Sequence, residues 1–79
     1  MTPDQLLDRI ATDPGILCGK PTIRGMRVSV EQILNALAAG VPEEDLLQDI
    51  PLLEPDDIRA CLAYAADVMQ QYSHLMVAR

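Results

Sequence analysis

The chain has neither phenylalanine nor tryptophan, and Tyr64 and Tyr72 are its only aromatic residues. Since 49% of its residues are nevertheless hydrophobic, the core must be aliphatic. Cysteine is scarce: Cys18 and Cys61 are too few and too far apart for a disulfide framework or a zinc site, and two buried thiols are expected. His74 is the sole histidine. No acid is patterned to orient it, which excludes a catalytic triad and leaves a solvated or dipole-facing side chain. Long apolar runs are missing too. None approaches the length of a membrane span, and Asp4 and Asp8 interrupt any leader-like stretch, so the expectation is a cytoplasmic protein with no membrane contact.

Positive charge is the remaining shortage. Six Lys and Arg face 12 Asp and Glu, a net charge of −6. Residues 1–30 hold Arg9, Lys20, Arg24 and Arg27 against three acids, a balance of +1, while residues 31–79 carry −7; together these give the −6. A chain this acidic repels phosphate overall, so a nucleic-acid contact would have to come from the N-terminal part. At 79 residues the chain reads as one domain, residues 1–79. So small a domain buries a modest core and tends to share apolar surface with a partner.

The stretch Asp13–Val30 holds three of the four glycines and two prolines. Pro14-Gly15 predicts a type II turn, and Gly19 and Gly25 punctuate in the same way. Between them lie short apolar pieces, Ile16–Cys18, Thr22–Ile23 and Met26–Val30. The last alternates apolar and polar residues with the period of a half-buried strand. Residues 10–30 therefore predict a small β unit of two or three strands. Ahead of it, Thr2 caps a short helix from Pro3 to Arg9 with Leu6, Leu7 and Ile10 on its apolar side.

Residues 30–76 read as three helices. Ser29 and Gln32 form a capping box for a helix from Val30 to about Ala39, and Gly40 stands at its C-terminal stop. Pro42 opens a short helix whose first turn holds Glu43, Glu44 and Asp45, and Pro51 ends it. Pro55 opens a long last helix with an apolar stripe running to Met76, whose final turns should overhang the core. The fold class is therefore mainly α with a small N-terminal β unit, the helices outlining a helix-turn-helix-like trihelical core. That outline alone is weak ground for DNA binding, because the third helix presents Glu54, Asp56 and Asp57 where a reading helix needs Arg or Asn.

Enzyme signals fail. Gly19-Lys20 lacks the spacing of a phosphate-binding loop, and Pro21 stands where the loop needs Ser or Thr. Glu43/Glu44 and Asp56/Asp57 are explained by helix dipoles. No active site, metal ligand set or cofactor is expected. Lys20, Arg24 and Arg27 are the candidate contact for phosphate or an acidic partner, with solvation of a strand edge as the competing reading. Ile16, Ile23 and Val28 are the candidate interface of a homodimer paired through the β unit, since such short strands do not stand alone. Met69, Tyr72, Leu75 and Met76 are the candidate C-terminal partner surface.

The run Asp13-Pro14, Gly19-Lys20-Pro21, Ile23-Arg24-Gly25, Arg27-Val28, Gly40-Val41, Glu43-Glu44, Pro51-Leu52-Leu53, Asp57-Ile58-Arg59-Ala60 and Ala63-Tyr64-Ala65 resembles a bacterial family, domain of unknown function 433, regarded as VapB-like antitoxins. The likeness covers roughly Arg9 to Val68. Ile50 replaces a frequent Tyr, and Glu54 replaces the usual Thr or Ser cap of the last helix. The resemblance implies a winged or homeodomain-like core, pairing of two chains through the β unit, and a neighbour-encoded PIN-like ribonuclease that the small protein neutralises. It supplies no catalytic residues. The expected function is non-enzymatic, antitoxin-like binding of such a ribonuclease. A helix-turn-helix transcriptional regulator using the N-terminal basic group on DNA is second, and a plain homodimeric interaction module third.

Overall fold

The computed structural model describes the backbone from Met1 to Met76 and side chains as far as Tyr72. In order the elements are α1 (Pro3–Leu7), β1 (Ile10–Ala11), a 3-10 turn (Leu17–Gly19), β2 (Thr22–Ile23), α2 (Val30–Ala38), α3 (Glu43–Asp49) and α4 (Pro55–Met76). The chain is mainly helical, with one small antiparallel sheet near its N-terminus. Among the described residues, no helix is long and apolar enough to cross a membrane.

α1 starts as the sequence predicts. The Thr2 hydroxyl accepts from the Gln5 N–H, and the Gln5 side chain accepts from the Thr2 N–H. It stops earlier than predicted, however, because the chain turns at Asp8 and enters a sheet. Ile10 therefore does not sit on α1. It pairs with Ile23 across β1 and β2, and the Arg24 N–H donates to the Arg9 carbonyl at 2.7 Å.

Three further expectations give way to turn chemistry. The Asp13–Ile16 turn is closed by the Ile16 N–H donating to the Asp13 carbonyl at 2.9 Å, and the Asp13 carboxylate also accepts from the Gly15 N–H at 2.8 Å. Gly15 is not in the left-handed region, so this is not a type II turn. Ile16–Cys18 is no strand, since Leu17, Cys18 and Gly19 take φ of 49°, 58° and 81°, a left-handed run that no strand can contain. Met26–Val30 forms no strand either. The turn at Gly25 and the cap at Ser29 leave too few residues between them, and pairing shrinks to one bridge, Thr22 to Ser29. The Ile23 N–H donates to the Val28 carbonyl and the Val30 N–H to the Pro21 carbonyl. β2 is thus bonded on both edges within its own chain.

Gly25 has the positive φ its sequence context demands, 80°, in a turn closed by the Met26 N–H donating to the Ile23 carbonyl at 2.9 Å. A Cβ there would meet no atom within 4 Å, so the cost of a side chain is backbone strain alone. Gly25→Val is expected to lose about 1–3 kcal/mol in chemical denaturation. Gly25→Asn should lose less, since Asn tolerates this region. An unchanged midpoint for the valine variant would contradict the turn.

The helices meet over one apolar cluster: Ile23, Val30, Ile33, Leu46, Leu53, Ile58 and Cys61. Ser29 and Gln32 form the predicted capping box. At the other end of α2, Gly40 (φ 90°) completes a Schellman stop, its N–H donating to the Leu37 carbonyl and that of Val41 to the Ala36 carbonyl. α3 lends the buried Leu46. Ile23, expected to meet a second chain, is 1% exposed and fills this core. Val28 is half-buried against the same cluster, and Ile16 is half-buried on the turn before the 3-10 segment. The short strands pack against the helices of their own chain.

Candidate functional site

A concentrated charge cluster ties the N-terminal segment to the start of α4. Arg9, just before β1, donates through one terminal nitrogen to Glu54 Oε1 at 2.8 Å and Asp57 Oδ1 at 3.0 Å, and its other nitrogen lies 3.9 Å from Asp56 Oδ2. Asp57 is 4% exposed, and its second oxygen accepts from the Glu54 N–H at 2.9 Å. It thereby supplies the returning half of a capping box at the start of α4, the bond from the third helical residue back to the cap residue's N–H. The bonds to Glu54 and then Asp57 hold the Arg9 guanidinium above its ordinary pKa. Sequence reading explains Asp57 by the helix dipole alone. Its partner stands 48 residues away, and no local signal joins them. With both Asp57 oxygens engaged, the cluster is a structural clasp.

The predicted basic group is divided by the fold. Lys20 donates to Glu31 Oε1 at 2.9 Å, which raises its own pKa and lowers that of Glu31 through the same bond. This pairing helps the fold above the carboxylate range and is lost as pH falls through the Glu31 pKa; both groups are exposed, so water screens most of it. Lys20 lines a cleft of about 510 Å³ with Leu17, Cys18 and Gln32. Arg27 lines a different depression, about 340 Å³, with Met26, Val28, Ile50, Pro51 and Leu52. Arg59 lies 3.9 Å from Asp56. Among the described residues, Arg24 and Arg27 are the arginines with no carboxylate partner. Both are exposed, one on each side of Gly25. Leu52, at 74%, is an exposed leucine that lines the same depression as Arg27. Sequence reading named the arginines but not Leu52, which has no periodic signal.

On α4, Met69 and Tyr72 are 59% and 52% exposed; Leu75 and Met76, proposed with them, lie outside the described side chains. A groove of about 350 Å³ runs between α2 and α4, lined by Val30 and Leu34 on one wall and Tyr64, Ala65, Val68 and Met69 on the other.

The thiols differ from each other. Cys61 is buried, but Cys18, also expected inside, is exposed on its left-handed turn. Burial, with a smaller push from Asp57, moves the Cys61 thiol up to about 11. A raised thiol pKa stabilises the fold below the usual thiol range and loses that contribution as pH rises through 11. A disulfide-exchange reagent at pH 8 is expected to titrate one thiol rapidly in the native protein and two in guanidinium. Two rapid thiols without denaturant would contradict the packing of Cys61. Among the described residues, no group of three or more His, Cys, Asp or Glu could hold a metal ion.

Residues 10–65 match the family model described as a protein of unknown function, DUF433. The chain belongs to this family. A stretch of 56 residues is 38% identical to the uncharacterized protein y4eO of Sinorhizobium fredii, covering 71% of this chain but 25% of that protein. The chain thus spans about a quarter of that relative's length. Among solved structures it is similar to a DUF433 member from Anabaena variabilis, with a TM-score of 0.75 and 26% identity over 94% of this chain and 73% of that one. The DUF433 match begins at Ile10 and ends at Ala65, so it contains the Gly25 turn, Leu52 and Asp57 but leaves out α1, Arg9 and the exposed end of α4.

Proposed function

We propose that this DUF433 chain is a non-enzymatic, antitoxin-like protein that binds and neutralises a PIN-like ribonuclease, and that the Gly25 turn is the principal contact. The observation that carries this reading is the pairing of opposites on that turn: Arg24 and Arg27, with no carboxylate partner among the described residues of a chain of net charge −6, flank Gly25, and Arg27 lines an apolar depression with an exposed leucine. Cations in an acidic protein steer it toward acidic surfaces. An apolar pocket beside them suits a protein side chain, whereas a phosphodiester backbone has nothing to place there. Because β2 is bonded on both edges and Gly25 sits in a closed turn, the arginines are presented on a rigid support, which lowers the entropy cost of binding.

A helix-turn-helix regulator is the second reading, favoured by the arrangement of α2, α3 and α4 around one core. Against it, Glu54, Asp56 and Asp57 stand at the start of α4, where a recognition helix would meet phosphates. Co-expression with the adjacent gene, followed by size-exclusion chromatography, tests the first reading, which expects the two products to elute together. Binding to the chain's own upstream DNA with a steep salt dependence, weakened alike on unrelated sequences by Arg24→Ala and Arg27→Ala, would replace it with the second.

A further inference from the structure

α4 carries an apolar stripe with the 3-4-3-4 spacing of a helix-pairing seam: Ile58, Cys61, Ala65, Val68 and Tyr72. Its first two members are sealed in the chain's own core, at 0% exposure. Beyond them the cover runs out: Ala65 is half-buried and every residue from Val68 to Tyr72 is exposed. The stripe is therefore a core face continued past its core. Where it emerges it forms one wall of the groove against Val30 and Leu34 of α2.

We propose that this groove is the interface of a homodimer, each copy laying its Val68–Tyr72 segment into the α2–α4 groove of the other about a two-fold axis. Two features single out a second copy as the occupant. First, the exposed segment is itself one wall of the groove, with Val68 and Met69 in its lining, so a copy turned about a two-fold axis meets it with the same apolar patch, as a two-fold interface requires. Second, charge permits it here. From Ala60 to Tyr72 the only charged residue is Asp67. The carboxylate at the groove, Glu31, is held by Lys20 at 2.9 Å. Two chains of net charge −6 repel wherever their acidic surfaces meet, and this face spares them that contact. The Tyr72 ring can bury its body while its hydroxyl stays at the wet rim. The inference is independent of the ribonuclease reading, which uses the Gly25 turn.

The experiment is sedimentation equilibrium of the full chain at about 50 μM, above the range in which an ordinary specific interface dissociates. The expected species has twice the 8.7 kDa of one chain. Val68→Asp and Met69→Asp change residues that are 42% and 59% exposed, so both variants should keep the parent's far-ultraviolet circular dichroism. Each should weaken the dimer at least about tenfold, as loss of a central contact does. Arg27→Glu should remain dimeric. A monomeric parent, or a Met69→Asp variant still dimeric at the parent's affinity, would overturn the proposal. So would a monomer that uses Val68 and Met69 to hold its co-expressed neighbour instead.

Discussion

Ile23→Asp is expected to leave the chain unfolded, with no cooperative thermal transition and with its helical circular dichroism lost. The side chain is 1% exposed and lies among Val30, Ile33, Leu46, Leu53, Ile58 and Cys61. Removing an isoleucine of this kind costs about 2–5 kcal/mol from lost transfer energy and the cavity left behind. A carboxylate in its place adds a desolvation cost, or takes up a proton to avoid it. A domain of this size has about 4–12 kcal/mol of stability in all. The two losses together exhaust it. Ile23→Val keeps the site apolar and should cost about 0.5–1.5 kcal/mol. An aspartate variant that melts with the parent would return Ile23 to the surface, where pairing between chains could use it.

Asp57→Ala is expected to have the next largest effect. It takes the acceptor from the Glu54 N–H at the head of α4 and removes one of the two close partners of Arg9. A donor left unsatisfied in a part-buried setting costs about 1–3 kcal/mol, or roughly 5–20 °C in Tm for a domain of this length. Asp57→Asn keeps an oxygen for the Glu54 N–H and should recover part of the loss. Glu31→Ala, by contrast, breaks an exposed pair and should leave Tm unchanged. Equal behaviour of the alanine variants at 57 and 31 would mean that the clasp between the N-terminal segment and α4 contributes nothing.

The contrast between these two acids shows where sequence reading succeeds and where it stops. Ser29 with Gln32, Gly40, and the apolar spacing of α2 and α4 are local signals, and each appears where it was read. Gly25 is legible for the same reason, since its turn chemistry is contained in four residues. The Arg9–Asp57 clasp is not legible, because nothing near either residue reports the other. Ile10 escapes local reading for a related reason: whether it ends a helix or starts a strand depends on Ile23, thirteen residues on. The left-handed run Leu17–Gly19 exposes Cys18 against its composition-based expectation, and only backbone geometry reveals it. At the candidate site the arginines are visible as charges, but their separation from Lys20 and the approach of Leu52 to Arg27 arise only when the α3–α4 link meets the turn.

Arg24 and Arg27 also distinguish the two surfaces of the molecule. If the Gly25 turn binds the ribonuclease while the α2–α4 groove joins two copies, charge reversal on the turn should abolish neutralisation and leave the dimer intact. The most direct measurement is therefore a titration. The ribonuclease encoded beside this chain is assayed on a fluorescent RNA while the purified chain is added, as parent and as the Arg24→Glu, Arg27→Glu double variant. The parent is expected to suppress cleavage stoichiometrically, and the double variant to leave it running at full rate. Undiminished cleavage at a large excess of the parent chain would contradict the antitoxin-like reading outright.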